Sequence, residues 1–134
     1  MKNLYSKVGE MEFDGLITDV SPEPIVRGGT IRKLGTAATL KRGTILAKSS
    51  GSAGDGKLVV LGTSAASNET LTPDCILCDD VEVGTSADVT VEVYYAGCFD
   101  SAKCTVATGY TVTAADKDAL RVRGILFKAA AAAN

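Results

Sequence analysis

Four cysteines of this chain are spaced so that they could bind a metal ion or form disulfides. Cys75 and Cys78 stand in "DCILCDD", and Cys98 and Cys104 follow, so the pattern is C-x2-C-x19-C-x5-C. Cysteine thiolates at short spacing bind structural zinc, and two pairs of thiols can form disulfides. The two residues between the first pair are aliphatic, as in a buried strand, where residues three apart point to opposite faces. We therefore expect small apolar residues of the core or its margin, with a zinc site and a functional disulfide as the alternatives.

A glycine-rich stretch imitates a phosphate-binding loop. Residues 51–57, "GSAGDGK", fit the pattern G-x-x-x-x-G-K. Such a loop also needs a serine or threonine in the next position, to hold Mg²⁺, and a helix whose N-terminus faces the phosphates. Leu58 follows instead, and "LVVLG" is typical of a strand. The stretch therefore predicts the tip of a hairpin rather than a nucleotide site.

Acids are the remaining candidates for catalysis, because the chain has no histidine. Without histidine, Ser-His-Asp and Cys-His catalysis are impossible within the chain. Acids at residues 79, 80 and 82 and at residues 116 and 118 could act in general acid–base catalysis or bind a metal ion. Adjacent acids at the end of a strand are more often solvated turn residues. We expect no enzyme activity, no metal and no cofactor.

The charge of the chain is unevenly placed. Net charge is −2, but residues 24–48 hold six basic residues and no acid. This stretch could face a nucleic acid or an acidic protein surface, or it could be a solvated face of a strand pair. No aromatic residue interleaves with the charges, so stacking on single-stranded nucleic acid is not expected. The candidates for an electrostatic contact are Arg27, Arg32, Lys33, Lys41 and Arg42.

Length and hydropathy favour one domain made in the cytosol. A chain of 134 residues suggests a single domain that buries enough surface to fold without a metal or disulfide. No apolar run approaches the roughly 18 residues of a membrane span. The N-terminus has no hydrophobic signal core, so we expect synthesis in the cytosol, reduced cysteines and no membrane contact.

The first 24 residues predict an extended arm. They are polar with scattered apolar residues and end in "SPEP", whose prolines bias their predecessors away from helix. An arm with this many apolar residues is expected to bind either a partner or its own domain. Its candidate anchors are Phe13, Leu16, Ile17 and Val20.

Residues 25–128 predict a β-rich domain, and residues 129–134 an alanine-rich tail. Gly28 and Gly29 lie between short apolar runs, which predicts a tight hairpin. In "ADVTVEVYYAGCF" the valines alternate with other residues, which predicts a long strand with two distinct faces. Thr113 as N-cap and Gly124 as stop bound one predicted helix, and "ILFK" predicts a final strand. We expect a mainly β (α+β) fold, a small β-barrel or sandwich-like domain with one short helix near the C-terminus.

The order of these segments resembles the head decoration proteins, or capsid cement proteins, of tailed bacteriophages. "LKRGTILAKSSG" with "GKLVVLG" resembles the family's run of strand, Arg-Gly, strand and glycine hairpin near the start of the globular domain. "DCILCDDVEVGTSADVTVEVYYAGCFDSAKC" resembles its central segment, and "DKDALRVRGILF" its closing helix and last strand. The resemblance covers about residues 14–128 and lies in order and spacing rather than in one motif.

The resemblance implies a structural role without catalysis. Proteins of this family sit as trimers on the outside of the expanded head, at three-fold and quasi-three-fold positions. There they bridge neighbouring major capsid subunits and stabilise the shell against the pressure of packaged DNA. The implied partners are the major capsid protein and two further copies of the chain, with no direct contact to nucleic acid; the implied location is the outer surface of the virion. The alternatives are another small β-barrel component of a virion or tail and, less favoured, a zinc-binding module.

Overall fold

The fold is mainly β, with a small five-stranded barrel and one helix near the C-terminus, as the sequence predicts. The structure, a computed structural model, describes residues 15–19 and 22–128. No helix within those residues is long and apolar enough to cross a bilayer. The strands are β1 (Ile17–Asp19), β2 (Ile25–Ile31), β3 (Ala38–Leu40), β4 (Ile45–Ser50), β5 (Leu58–Val60), β6 (Thr70–Leu77), β7 (Val81–Val83), β8 (Val89–Phe99) and β9 (Ile125–Phe127), and helix α1 spans Ala114–Arg123.

The barrel closes through β8, the longest strand. In the order β8-β2-β5-β4-β6, each strand is hydrogen-bonded to the next, and β6 pairs with β8 to close the ring. Only the β2–β5 pair is parallel; the other four pairs are antiparallel. The end of β8 also pairs with β1 and β9. A separate pair, β3 with β7, forms a small second sheet.

Side chains of the barrel strands separate into two apolar clusters because neighbours along a strand point to opposite faces. The inner cluster holds residues from every barrel strand and fills the barrel. The outer cluster lies between the barrel wall and the elements that cover it, including α1, β9 and Leu16. The inner cluster is Ile31, Leu46, Leu58, Cys75, Leu77, Val83 and Val93. The outer cluster is Leu16, Ile45, Ala47, Val59, Leu61, Ile76, Cys78, Tyr94, Phe99, Leu120 and Ile125.

The predicted faces of β8 are confirmed. Val89, Val91, Val93 and Tyr95 all pack in or against the inner cluster. Tyr94 belongs to the outer cluster, where its ring centroid lies 5.3 Å from that of Phe99. Alternation in the sequence therefore identified which side chains of this strand share a face, and the structure shows that the valine face points into the barrel.

The predicted helix is also confirmed, with both of its ends. The Thr113 hydroxyl accepts a hydrogen bond from the Asp116 N–H at 3.1 Å, and the Asp116 carboxylate accepts from the Thr113 N–H at 3.0 Å. This reciprocal capping box satisfies two N–H groups that the first turn leaves unpaired. Gly124 ends the helix in the left-handed region at φ +104°, where a side chain would be strained. Leu120 then points into the outer cluster and is fully buried.

The predicted hairpin at Gly28 and Gly29 is wrong. Both residues lie inside β2, where they pair with Glu92 and Val91 of β8. A Cβ on Gly29 would lie 2.7 Å from Leu58 Cδ1, so the glycine leaves room for a core side chain of β5. The glycines therefore permit close packing within a continuous strand rather than a turn. The glycine-rich stretch at residues 51–57 does connect two antiparallel strands, β4 and β5, as predicted.

Residues 15–19, which the sequence analysis assigns to the extended arm, pack on the domain. Leu16 is 2 % exposed and belongs to the outer cluster, and its carbonyl accepts a hydrogen bond from the Asp100 N–H at 2.8 Å. Ile17 is half-buried and pairs with Phe99 of β8. Because both residues pack on their own domain, Leu16 is not free to anchor the chain to a partner. The alternative, that these apolar residues bind the domain itself, holds for this pair.

The other parts of that interpretation lie outside the described residues. Phe13 and Val20 are not described, nor is the alanine-rich tail at residues 129–134. The roles that the sequence predicts for these residues remain predictions.

Truncating Leu16 should destabilise the domain. The Leu16→Ala variant removes a fully buried side chain from the outer cluster, which costs about 2–5 kcal/mol of the free energy of unfolding. Urea unfolding followed by circular dichroism measures this loss. Val122, at 87 % exposure on α1, provides the control, and Val122→Ala should change stability by less than about 0.5 kcal/mol. Equal stability of both variants would show that Leu16 does not pack in the core.

Candidate functional site

The densest polar network centres on Arg32, directly after β2. Its guanidinium donates to both carboxylate oxygens of Asp55, at 3.0 and 2.9 Å, and also to Glu69. Glu69 further accepts hydrogen bonds from the Ser49 hydroxyl and from the Ala66 N–H. A two-pronged contact of this kind holds an arginine in one geometry. The network therefore ties the glycine-rich tip and the loop before β6 to one end of the barrel.

The network holds its charges in their ionised forms. The hydrogen bond from Arg32 lowers the pKa of Asp55 to about 2. The Ala66 N–H, the Ser49 hydroxyl and then Arg32 lower the pKa of Glu69 to about 2, and the two carboxylates raise the pKa of Arg32. A carboxyl with such a pKa cannot hold a proton near neutral pH, which a general acid must do. This cluster is therefore suited to holding loops in place rather than to acting as a general acid.

Other members of the basic stretch meet acids from later in the chain. Asp88 accepts a hydrogen bond from the Lys33 N–H at 2.8 Å and pairs with Lys57 at 2.5 Å. Asp80 accepts from the Arg42 N–H at 2.8 Å and lies 3.6 Å from the Lys41 ammonium. Hydrogen bonds from these partners lower the pKa of both aspartates. Acids from later in the chain therefore neutralise part of the charge of this basic stretch within the domain.

Two of the five candidate arginines and lysines are largely engaged within the domain. Arg32 is held by its two carboxylates, and the Arg42 guanidinium donates to the Cys78 carbonyl at 2.9 Å and to the Tyr94 hydroxyl at 2.7 Å. The other three side chains are exposed on the surface. They are Arg27, whose guanidinium lies 5.6 Å from the Tyr95 ring centroid, Lys33, and Lys41, whose side chain is 68 % exposed.

The first two cysteines point apart, as the strand pattern predicts. Cys75 belongs to the inner cluster and Cys78 to the outer cluster, so the wall of the barrel separates them. Burial raises the pKa of the Cys75 thiol, and it raises the pKa of Cys78 and of Cys104 to about 12. All four cysteines are free, and Cys98 Sγ lies 3.5 Å from the Thr18 hydroxyl. Because thiolates bind metals and thiols do not, these environments disfavour ligation.

The described residues contain no group of three or more cysteine or acidic side chains that could hold a metal ion. Three of the acids that the sequence singles out, Asp80, Asp116 and Asp118, have partners of other kinds. Asp116 caps α1 and also accepts a hydrogen bond from the Tyr110 hydroxyl, which raises the pKa of Tyr110. Asp118 pairs with Arg121 at 3.0 Å on the exposed face of α1.

A buried ion pair joins α1 to the barrel, and the sequence analysis missed it. Asp74 of β6 is fully buried, and its Oδ1 lies 2.9 Å from Nη1 of Arg123, the last residue of α1. Neither carboxylate oxygen of Asp74 has an aligned hydrogen-bond donor among the described residues. The contact is therefore a charge interaction, and Arg123 supplies its cation. An aspartate directly before the apolar run of residues 75–78 was the available signal.

An open groove lies between β3 and residues 105–108. Its volume is about 380 Å³. Leu40, Val60 and Val106 give it an apolar floor, while Thr39, Thr105 and Lys41 line its polar margin. Apolar side chains bordered by a few polar groups are typical of places where peptides and small molecules bind.

Comparison with known proteins identifies no relative: no family model matches the chain, and no curated protein is significantly similar to it.

Removing Arg32 should make the stability of the domain less dependent on acid pH. Asp55 and Glu69 have pKa values of about 2 in the folded state, below their ordinary 3.8 and 4.5. Their contribution to stability is therefore complete above about pH 5 and is lost as the pH falls toward about 2. In Arg32→Ala both pKa values rise, more so for Asp55, whose main partner is lost. We expect lower stability at pH 7 and a shallower decline in acid.

Urea unfolding between pH 7 and pH 2 measures both effects. Lys48→Ala is the matched control, because Lys48 is an exposed cation on β4. Wild-type and Arg32→Ala curves that run parallel would contradict the role given to Arg32.

Removing Arg123 should destabilise the fold more than removing an exposed arginine. Loss of one partner of a fully buried pair costs roughly 3–5 kcal/mol, because the other charge stays buried and unpaired. Since the Arg123 side chain is 41 % exposed, we expect about 2–3 kcal/mol for Arg123→Ala. The control is Arg121→Ala, whose side chain is 66 % exposed. Thermal unfolding of the variants and of the double variant Asp74→Ala/Arg123→Ala measures the coupling, and strictly additive losses would exclude it.

Proposed function

We propose that this protein is a structural component of a bacteriophage virion. In this proposal it binds the outside of the expanded head as a trimer, at three-fold and quasi-three-fold positions, and contacts the major capsid protein. There it stabilises the shell against the pressure of packaged DNA. It is made in the cytoplasm of the host bacterium and carries out no catalysis.

The observation that carries the proposal is where the segments of the family resemblance lie in the fold. Residues 40–62 contain β4, the glycine-rich tip and β5. Residues 74–104 contain the second half of β6 with β7 and β8, and residues 116–127 contain most of α1 with β9. The resemblance therefore rests on strands that form and cover the barrel, rather than on loops that could belong to any fold.

The polar chemistry of the domain also supports a structural role. Acids of the domain hold the tip, the loops and the start of α1 in place, through Arg32, Lys57 and the capping box of Asp116. Interactions of this kind restrict the movement of surface loops. A domain that bridges neighbouring capsid subunits needs such a rigid surface more than it needs a reactive group.

The N-terminal residues are the proposed means of attachment. An extended segment can add a strand to an exposed sheet edge of a partner, where main-chain hydrogen bonds supply affinity. Phe13 and Val20 remain the candidate anchors, while Leu16 is committed to its own core. Ordering such a segment costs on the order of 1 kcal/mol per residue, so one segment alone would bind weakly. Three segments on one trimer can raise overall avidity by roughly 100-fold or more.

The exposed members of the basic stretch could add an electrostatic contact. Arg27, Lys33 and Lys41 are exposed and could face acidic groups of the capsid surface. Contacts between exposed charges weaken as salt screens them. Binding to the capsid should then weaken as the ionic strength rises, while the contacts of the N-terminal residues remain.

Co-sedimentation with shells of the virus that encodes this chain tests the proposal. Purified protein is mixed with expanded heads and with unexpanded procapsids, at low and at high salt. We expect saturable binding to expanded heads alone, in multiples of three copies per site, and weaker binding at high salt. Saturable binding to neither shell would contradict the proposal and favour another virion or tail component.

Phe13→Ala tests the attachment segment in the same assay. This variant should bind expanded heads at least about 10-fold more weakly, because a buried aromatic contact is lost. Leu4→Ala is the control from the same segment and should bind like the wild type. If Phe13→Ala binds expanded heads as tightly as the wild type, Phe13 is not an anchor. That outcome would leave the binding of the wild-type protein to the shell unaffected.

A further inference from the structure

The groove beside β3 borders a free sheet edge. Strand β3 pairs with β7 along one side, and among residues 15–19 and 22–128 no strand pairs with its other side. Thr39 and Leu40 of β3 both line the groove. An unpaired strand edge presents N–H and C=O groups that an extended segment can bind. The groove therefore combines a backbone edge with the apolar floor made by Leu40, Val60 and Val106.

The N-terminal segment enters the fold close to this groove. A Cβ on Gly15 would lie 3.4 Å from Lys103 Cε, and a Cβ on Gly43 would lie 3.4 Å from Leu16 Cδ1. Gly43 precedes Thr44, whose hydroxyl lies 3.0 Å from the hydroxyl of Thr105. Both of these threonines line the groove. The residues before Gly15 therefore start from a position beside the groove.

The segment is long enough to reach across it. Fourteen residues precede Gly15. In extended form each residue spans about 3.3 Å, so five residues cover roughly 17 Å, whereas the three residues of β3 cover roughly 10 Å. Since the segment is tethered to the domain, its effective concentration near the groove is in the millimolar range, and even a weak contact is populated.

The sequence directly before Gly15 matches the groove in polarity. In "EMEFD", residues 10–14, Met11 and Phe13 alternate with three acids, so an extended segment presents two apolar side chains on one face. The acids occupy the opposite face. Lys41, which lines the groove, and Lys103, beside Gly15, are both exposed and can pair with them.

We propose that residues 10–14 of this chain bind in the groove as an extended strand along the free edge of β3. Met11 and Phe13 contact the floor formed by Leu40, Val60 and Val106. Lys41 and Lys103 neutralise the acidic face. The proposal does not rest on the function proposed above, because both partners belong to the same chain. It has a consequence for that function: a segment bound in its own groove must leave it before it can bind a shell.

Amide hydrogen exchange of the full chain, measured by NMR, tests the proposal. The variant Met11→Asp/Phe13→Asp places two charges against the apolar floor. We expect the amides of residues 38–40 that face away from β7 to exchange at least about 10-fold faster in this variant than in the wild type. The control, Leu4→Asp/Val8→Asp, makes the same substitutions earlier in the segment and should leave these rates unchanged. Equal rates in all three proteins would overturn the proposal.

A groove variant tests the other side of the contact. Val106→Asp should shift the amide resonances of residues 11–13 toward those of an unbound peptide, whereas Val122→Asp, at the exposed end of α1, should not. If Val106→Asp fails to fold, the variant Met11→Asp/Phe13→Asp still tests the proposal. Protection of β3 that grows with protein concentration would also overturn the proposal, because a second copy would then occupy the groove.

Discussion

The structure depends on the pairing of β8 with strands on both of its sides. A five-stranded sheet closes only if its first and last strands meet, and here β2 and β6 both pair with β8. Eleven residues make β8 long enough to serve this closure and still extend past it, where β1 and β9 pair with its end. Closure gives each of the five barrel strands a partner strand on both sides.

The same strand divides the core in two. Val93 points into the barrel, while its neighbour Tyr94 points outward and packs against Phe99. The outward face would be exposed to water if α1, β9 and Leu16 did not cover it. The buried pair of Asp74 and Arg123 joins the end of that cover to the barrel wall. The helix is therefore part of the fold's second core rather than an appendage.

Carboxylates and thiols, which can form reactive sites, have other roles in this domain: they hold loops in place or pack in the core. Arg32 binds two carboxylates that arrive from separate loops, and burial keeps the thiols of Cys75 and Cys78 protonated. Among the described residues, β3 has no partner strand on one side, and an open groove lies beside it.

Local pattern in the sequence determined the class of fold, the faces of β8, both ends of α1 and the divergence of Cys75 from Cys78. Each of these depends on the period of a strand or a helix, or on capping, which are properties of neighbouring residues. Only the tertiary structure decided the role of Gly29, the burial of Leu16 and the pairing of Asp74 with Arg123. Each depends on a residue distant in the chain: Leu58 packs against Gly29, β8 receives the strand that follows Leu16, and α1 brings a cation to β6. A charge count along the chain could not foresee the partners of Arg32 for the same reason, because they come from later loops that the barrel returns to it.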